Sequence, residues 1–121
     1  MTDDILDFSA LKRLLDVIGG DEEDFEELKT EFLESTPETV ANLKSAVAQE
    51  DWKAATIAAH TLKGNSRDFG AVKLEAASVA METECKNASN ALNASALVQV
   101  VEAAEGEARA ALSTLKVADL G

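Results

Sequence analysis

Residues 58–71 read AAHTLKGNSRDFGA, and this stretch decides how the rest of the 121-residue chain is interpreted. It holds the only histidine, His60. Small or apolar residues recur around it at the spacing of one buried helical stripe, at positions 55, 59, 62, 66 and 69. At about 100° per residue, His60 lies on the opposite side of that helix. We therefore predict a helix that presents the imidazole to solvent.

The neighbours of His60 on the same face suggest a surface that another molecule approaches. Gly64 follows one turn later, and a glycine inside a helix costs about 1 kcal/mol relative to alanine, so it needs a reason. Close approach of a partner is one such reason. Ile57, one turn earlier, would supply an apolar contact. Lys63 and Arg67 place cations near the ring, which suits an arriving anion and phosphate above all.

The string AHTLKG followed by FGA closely resembles the signature of histidine-containing phosphotransfer (HPt) domains, the four-helix-bundle carriers of phosphorelays. The resemblance is specific at this motif and extends more weakly over nearly the whole chain. It implies that His60 accepts a phosphoryl group from a receiver-domain aspartate and passes it to a response-regulator aspartate. It also implies that Lys63 steadies the phosphoryl group and that Gly64 leaves room for the receiver.

The same resemblance extends the expected partner face to the following helix. Glu82 and Lys86 occupy positions where some family members carry a polar side chain that reaches toward the imidazole. We therefore expect Ile57, Arg67, Glu82 and Lys86 to form the partner-binding surface, with receiver domains of response regulators or hybrid histidine kinases as partners.

Composition and charge narrow the class of protein. The chain is 46% hydrophobic with one proline, which favours a single helical domain over residues 1–121. The net charge of −12 disfavours binding to nucleic acid or to anionic membranes. Residues 52–74 nevertheless carry four bases and one acid, a positive island around His60.

The termini and the cysteine content point to a protein of the cytoplasm. The N-terminus is acidic and lacks the pattern of a signal peptide, and no apolar run reaches the roughly 20 residues that span a bilayer. The single Cys85 cannot form an internal disulfide. We expect a cytoplasmic monomer, and Met1 together with intact terminal helices favours a stand-alone chain over a fragment of a hybrid kinase.

The N-terminal half predicts a short helix followed by a long one. The first carries apolar residues from Phe8 to Ile18, with Asp7 or Ser9 as N-cap and Gly19-Gly20 as its end. The second runs from about residue 22 to 49, because the stripe that starts at Phe25 continues in phase beyond Pro37. We expect a kink near Thr36. The alternative is a separate helix with Thr36 as N-cap and Pro37 in its first turn.

The C-terminal half predicts three more helices. The His60 helix begins after Asp51 and ends near Phe69, and the next runs from Ala71 to about Asn87. Residues 88–94 are rich in Asn and Ser and predict a loop, after which Asn93 or Ser95 caps a helix that extends to about Val117. Residues 118–121 are expected to fray. The fold class is therefore all-α, an antiparallel four-helix bundle with a short additional N-terminal helix.

The chemistry predicted for His60 is that of a carrier. A neutral imidazole can attack phosphorus, but the positions one turn away are Thr56 and Gly64, and no carboxylates for magnesium are evident beside it. We therefore expect no cofactor of its own, with magnesium on the receiver partner. No Gly-rich phosphate loop is present, so ATP-dependent kinase activity is not expected and the chain is not predicted to be an enzyme.

Two other functions compete with the carrier. A helical adaptor could keep the fold and dock a receiver or kinase without being phosphorylated, although the intact His-x-x-Lys-Gly argues against it. A metal site in the bundle lacks a second histidine or a Glu-x-x-His pair.

Overall fold

The computed structural model describes residues 5–87 and 91–120, and the regular structure in those ranges is helical. We number its α-helices α1 to α5. Their bounds are Phe8–Val17 (α1), Glu22–Ala48 (α2), Trp52–Asp68 (α3), Val72–Asn87 (α4) and Ala91–Thr114 (α5), and a 3₁₀ turn follows at Val117–Leu120. The predicted all-α class is confirmed.

Helices α2 to α5 form the bundle. Each packs against two neighbours, in the cyclic order α2, α3, α4, α5, while α1 packs on α3 and on the terminal 3₁₀ turn. Cross-helix pairs show the antiparallel order: along α2 and α5, Lys44 pairs with Glu102 and Lys29 bonds to Leu115. The predicted four-helix bundle with an extra N-terminal helix agrees with this packing.

The ends of α1 follow the predicted caps. The Asp7 side chain accepts a hydrogen bond from the backbone N–H of Ser9, which satisfies one of the free donors in the first turn. The Ser9 hydroxyl also donates to the Asp7 carboxyl, and these two hydrogen bonds, first that of the hydroxyl, lower the pKa of Asp7. Gly19 and Gly20 both have positive φ, so the chain turns sharply after the helix and enters α2.

Helix α2 runs unbroken through Pro37, as the phase of its apolar stripe predicts. The alternative of a separate helix beginning at Thr36 is wrong. Pro37 cannot donate to the carbonyl one turn earlier, but the Thr36 hydroxyl donates to the carbonyl of Phe32 at 2.8 Å. The predicted kink near Thr36 stays a prediction.

The start of α5 differs from its predicted position. Asn93 and Ser95 were expected to cap the helix but lie inside it, exposed, because α5 already begins at Ala91. Ala94 is fully buried and extends the buried stripe of Val98 and Val101 by one turn toward the N-terminus. Its burial stabilises a first helical turn that the nearby Asn and Ser residues disfavour. Residues 88–90 of the predicted loop lie outside the described residues.

The C-terminal segment does not fray as expected. Helix α5 ends at Thr114 rather than near Val117, and the 3₁₀ turn folds back so that Leu120 is buried. The Asp119 side chain accepts from the backbone N–H of Lys116, which closes the turn. The prediction is wrong for residues 118–120 because an apolar side chain finds a place in the core, and Gly121 lies outside the described residues.

An aromatic cluster fixes the rotation of α3. The Phe69 ring lies 4.8 Å from the ring of Phe32 and 6.4 Å from that of Phe25, between centroids. Toward the N-terminus of α3 the same side continues with Leu62 and with buried small residues such as Ala55. This side faces the core, so the opposite side of α3 faces solvent.

A glycine corner sets the entry into α4. Gly70 has φ +65°, and a Cβ there would collide with the carbonyl oxygen of Asp7. Its own carbonyl accepts from the N–H of Asp7 at 2.7 Å, and Leu6 pairs with Ala71 in a short β-bridge. The segment before α1 is thereby fastened to the corner that joins α3 and α4.

Candidate functional site

His60 lies on the solvent side of α3, as the helical phase predicts. Its side chain is 67% exposed, while Ala59 and Leu62 beside it in sequence are fully buried. The exposed ring is therefore presented by a helix whose other side is fixed in the core.

Glu82 of α4 reaches across to the ring. Its Oε2 lies 2.8 Å from Nδ1 of His60, and its Oε1 accepts from Nζ of Lys63 at 2.8 Å. Lys86 approaches Oε2 to 3.6 Å. Although Glu82 was expected to contact a partner, the residue is only 6% exposed, and these contacts are made within the chain.

The surroundings of Glu82 keep it ionised. The hydrogen bond from Lys63 is the largest influence, burial opposes it, and the hydrogen bond with His60 and the charges of Lys63 and Lys86 support it. Together they lower the pKa of Glu82 from 4.5 to about 2. An ionised carboxylate can only accept hydrogen bonds. Nδ1 of His60 must therefore carry the proton in this contact, which leaves the lone pair of a neutral ring on Nε2.

Lys63 is held beside the ring. Its side chain is 21% exposed and bonds to Glu82. The predicted role of this lysine was to steady an incoming phosphoryl group. In the structure Lys63 binds the Glu82 carboxylate instead, so Lys63 and His60 contact the two oxygens of one carboxylate.

Ile57 and Gly64 flank His60 on the exposed face of α3. Ile57 is 58% exposed, a large apolar side chain in contact with solvent. A Cβ built on Gly64 would meet no atom within 4 Å. Packing within the chain therefore does not require glycine here, which agrees with the idea that space is kept for another molecule.

The positive island is largely neutralised by carboxylates from other helices. Lys63 pairs with Glu82, Arg67 with Glu75 at 3.2 Å, and Lys73 with a glutamate of α5 at 3.7 Å. The sequence gives the surplus of bases along residues 52–74 correctly, but it does not show which acids lie opposite. Both cations predicted near the ring, Lys63 and Arg67, are therefore paired with glutamates of α4.

Two residues of α4 were missed by the sequence analysis. Glu75 binds Arg67, and Val79, 43% exposed, lies on α4 between Glu75 and Glu82. Because these two glutamates both contact α3, Val79 lies on the same side of α4 as the site. Residues 75, 79, 82 and 86 have the spacing of one helical face, and this pattern could have placed Glu75 and Val79 beside Glu82 and Lys86.

Within residues 5–87 and 91–120, no group of three His, Cys, Asp or Glu side chains is placed to hold a metal ion. Over the same ranges, none of the helices has the length and apolar character needed to cross a membrane.

Comparison with known proteins decides the family. A family model described as the Hpt domain matches residues 27–116, which include most of α2 and all of α3, α4 and α5. The chain belongs to the Hpt domain family. The resemblance inferred from the His60 motif is thus confirmed.

Solved structures of Hpt proteins share the fold. Histidine-containing phosphotransfer protein B from Pseudomonas aeruginosa is similar with a TM-score of 0.81 and 26% identity, over 89% of this chain and 90% of that one. The Hpt domain of a sensor hybrid histidine kinase from Shewanella superposes with a TM-score of 0.71 at 18% identity, over the same shares of the two chains, and shows the fold alone. Among curated proteins, none matches the chain in sequence.

Membership of the family establishes the general activity. Hpt domains are phosphocarriers of phosphorelays, rather than kinases, and they interact with receiver domains of hybrid kinases and response regulators. This Hpt domain is therefore a histidine phosphotransfer protein.

Proposed function

We propose that His60 accepts a phosphoryl group on Nε2 from the aspartyl phosphate of one receiver domain and passes it to the aspartate of a response regulator. The observation that carries the proposal is the contact between Nδ1 of His60 and the ionised carboxylate of Glu82 at 2.8 Å. Because Nδ1 faces Glu82, the nucleophilic nitrogen Nε2 of this exposed ring points away from the Glu82 carboxylate.

The ring is well placed for reaction in line with a partner's phosphoryl group. The helix fixes the ring's position, and the hydrogen bond to Glu82 limits its rotation, so part of the orientational cost of transfer is met before the partner binds. In this proposal the Lys63 ammonium, which donates to Glu82 at 2.8 Å, also steadies the phosphoryl group on Nε2. These residues support a carrier rather than a kinase.

Magnesium and the acidic pocket belong to the receiver in this proposal. Among residues 5–87 and 91–120, the carboxylate paired with His60 is that of Glu82, which is also engaged by two lysines. Stabilisation of the transferring phosphoryl group would come mainly from the partner, with Lys63 as the contribution of this chain.

The surface that a receiver would cover lies around His60. Ile57 and Gly64 on α3 offer an apolar contact and open space, and Arg67 and Lys86 provide exposed charges at two of its edges. We propose these four residues as the docking surface, with Glu82 and Lys63 acting beneath it on the ring.

The test mixes the protein with a panel of phosphorylated receiver domains and magnesium and looks for acid-labile phosphate on the protein. Label is expected on the wild type and not on His60→Gln, which should keep its helical circular dichroism because the site is exposed. Equal label on both would place the phosphoryl group elsewhere. Stable complexes without any label would favour the adaptor function.

A further inference from the structure

We propose that Arg67 selects among receiver domains by binding a carboxylate at the edge of the receiver, and that Glu75 is a positioning residue that orients Arg67 for this contact. The receiver that fits carries an aspartate or glutamate about 10 Å, or two helical turns, from its phosphorylated aspartate. This inference rests on the proposed function and names a chemical feature of the partner.

Arg67 lies on the same face of α3 as His60. The two residues are seven positions apart in the helix, which is about two turns and about 10 Å along its axis. On α4, Glu75 and Glu82 have the same separation. The pair of Arg67 with Glu75 therefore repeats, two turns away, the contact that Glu82 makes with His60. A receiver centred on His60 would meet Arg67 at its edge.

The guanidinium of Arg67 is only partly engaged within the chain. Its Nε–H donates to Oε2 of Glu75 at 3.2 Å, and its side chain is 62% exposed. Across residues 5–87 and 91–120, its two Nη groups donate to no acceptor. Together, Nη1 and Nη2 form an edge that can bind a carboxylate through two parallel hydrogen bonds. That edge is available to a partner.

Arg109 on α5 shows the contrasting arrangement. Its Nε and Nη2 bind the two oxygens of Glu105 at 2.9 and 3.2 Å, so this arginine is bound through two donors within its own helix. Arg67 is bound through Nε alone, by a half-buried carboxylate on the neighbouring helix. The single contact limits the rotation of the side chain while both Nη groups stay available.

The charge distribution favours an acidic partner over α3 and α4. Residues 52–87 carry five bases and four acids, whereas the rest of the chain carries six bases and nineteen acids. An acidic surface is therefore repelled by most of the molecule and least by these two helices. A carboxylate that reaches Arg67 adds a specific contact to this general steering, while a lysine or arginine at the same place would meet a like charge.

Titration calorimetry with the magnesium-loaded receiver that binds wild type most tightly tests Arg67. Arg67→Met should bind about tenfold more weakly, and Arg67→Lys nearly as weakly, because lysine keeps the charge but lacks the two-donor edge. The control is Lys73→Met, since Lys73 is an exposed cation of α4 that pairs with Glu107 of α5. It should bind within about twofold of wild type. Wild-type affinity of either Arg67 variant would overturn the proposal.

Glu75 is tested by Glu75→Ala, with Glu107→Ala as the matched control because both glutamates pair across helices with an exposed cation. If Glu75 only competed with the receiver for Arg67, its removal would tighten binding. As a positioning residue, its removal should weaken binding by about threefold, although a negative charge is lost. Glu107→Ala should show no such weakening. Unchanged or tighter binding by Glu75→Ala would overturn the positioning role.

A charge exchange identifies the carboxylate on the receiver. Each exposed acid that lies about 10 Å from the phosphorylated aspartate is changed to arginine and titrated with wild type and with Arg67→Glu. One of these changes should weaken binding to wild type and be restored by Arg67→Glu. If the exchange succeeds while His60 takes no label, the proposed function fails and the recognition stands. Label on His60 without any coupled acid would overturn the recognition alone.

Discussion

Glu82 on α4 and Glu105 on α5 are both nearly buried, at 6% and 3% exposure, and both bind a cation. Glu105 accepts two hydrogen bonds from Arg109, one turn later on its own helix, and contacts the Thr36 hydroxyl of α2 at 3.3 Å. Its contacts join α5 to α2 beside Pro37. The partners of Glu105, Thr36 and Arg109, do not include a nucleophilic ring such as that of His60.

Glu82 has a similar burial but a different set of donors. It binds across to α3, and one of its donors is the exposed ring of His60. The comparison shows that a buried glutamate paired with a cation does not identify a functional site. What distinguishes Glu82 is that its hydrogen bond determines the state of a nucleophile that another molecule can reach.

Removing each carboxylate should separate the two roles most clearly. Glu82→Ala is expected to slow phosphoryl transfer by up to about 100-fold because the ring loses its orientation. Glu105→Ala should leave transfer unchanged and lower the free energy of unfolding by about 1–3 kcal/mol, since charge-assisted hydrogen bonds are lost. Transfer time courses and urea unfolding measure the two effects. Slow transfer by a folded Glu105→Ala protein would contradict the division.

Two glycines extend the comparison from carboxylates to surfaces. Gly64 on α3 and Gly106 on α5 both lie inside helices with open space where a Cβ would project. Gly64→Leu should weaken receiver binding by about tenfold or more because it fills space proposed for the partner, while Gly106→Leu should not. Affinity for one receiver, measured by titration calorimetry for both variants, checks this. Equal affinities would remove the argument for close approach at Gly64.

Alanine at either glycine serves as the control for stability. Both variants should be stabilised by up to about 1 kcal/mol because alanine favours the helix. A loss of stability in Gly64→Ala would show that the glycine has a structural reason after all.

The smallest expected effect is on acid stability. The pKa of Glu82 is lowered in the folded chain, so its ionised form contributes stability above pH 4.5 that is lost as the pH falls toward about 2. Glu82→Gln should therefore be less stable than wild type by about 1 kcal/mol near neutral pH, with the difference shrinking in that acid range. Urea unfolding at a series of pH values measures it. A constant difference would mean that Glu82 does not titrate as the structure indicates.

Features that depend on a single helix could be predicted from the sequence. The phase of α3 gave the exposure of His60, and the in-phase stripe beyond Pro37 gave the unbroken α2. Caps at Asp7 and Asp51 are local hydrogen bonds within one turn, so the residue types alone indicate them.

What depends on two helices could not be obtained in the same way. The contact of Glu82 with His60 requires the rotation of α4 against α3, which the periodicity of either helix leaves open. Ala94 and Leu120 are buried by distant segments, and local composition therefore gave the wrong start for α5 and the wrong tail. The pairing of Arg67 with Glu75 was missed for the same reason.

The backbone corner at Gly70 restricts which amino acids can replace this glycine. Every other amino acid there would collide with the Asp7 carbonyl and adopt an unfavourable positive φ. In a saturation library, Gly70 should be depleted of substitutions under selection for abundance as well as under selection for signalling. Substitutions of Gly64 should persist under selection for abundance and be depleted under selection for signalling. That difference would mark the partner surface without any knowledge of the partner.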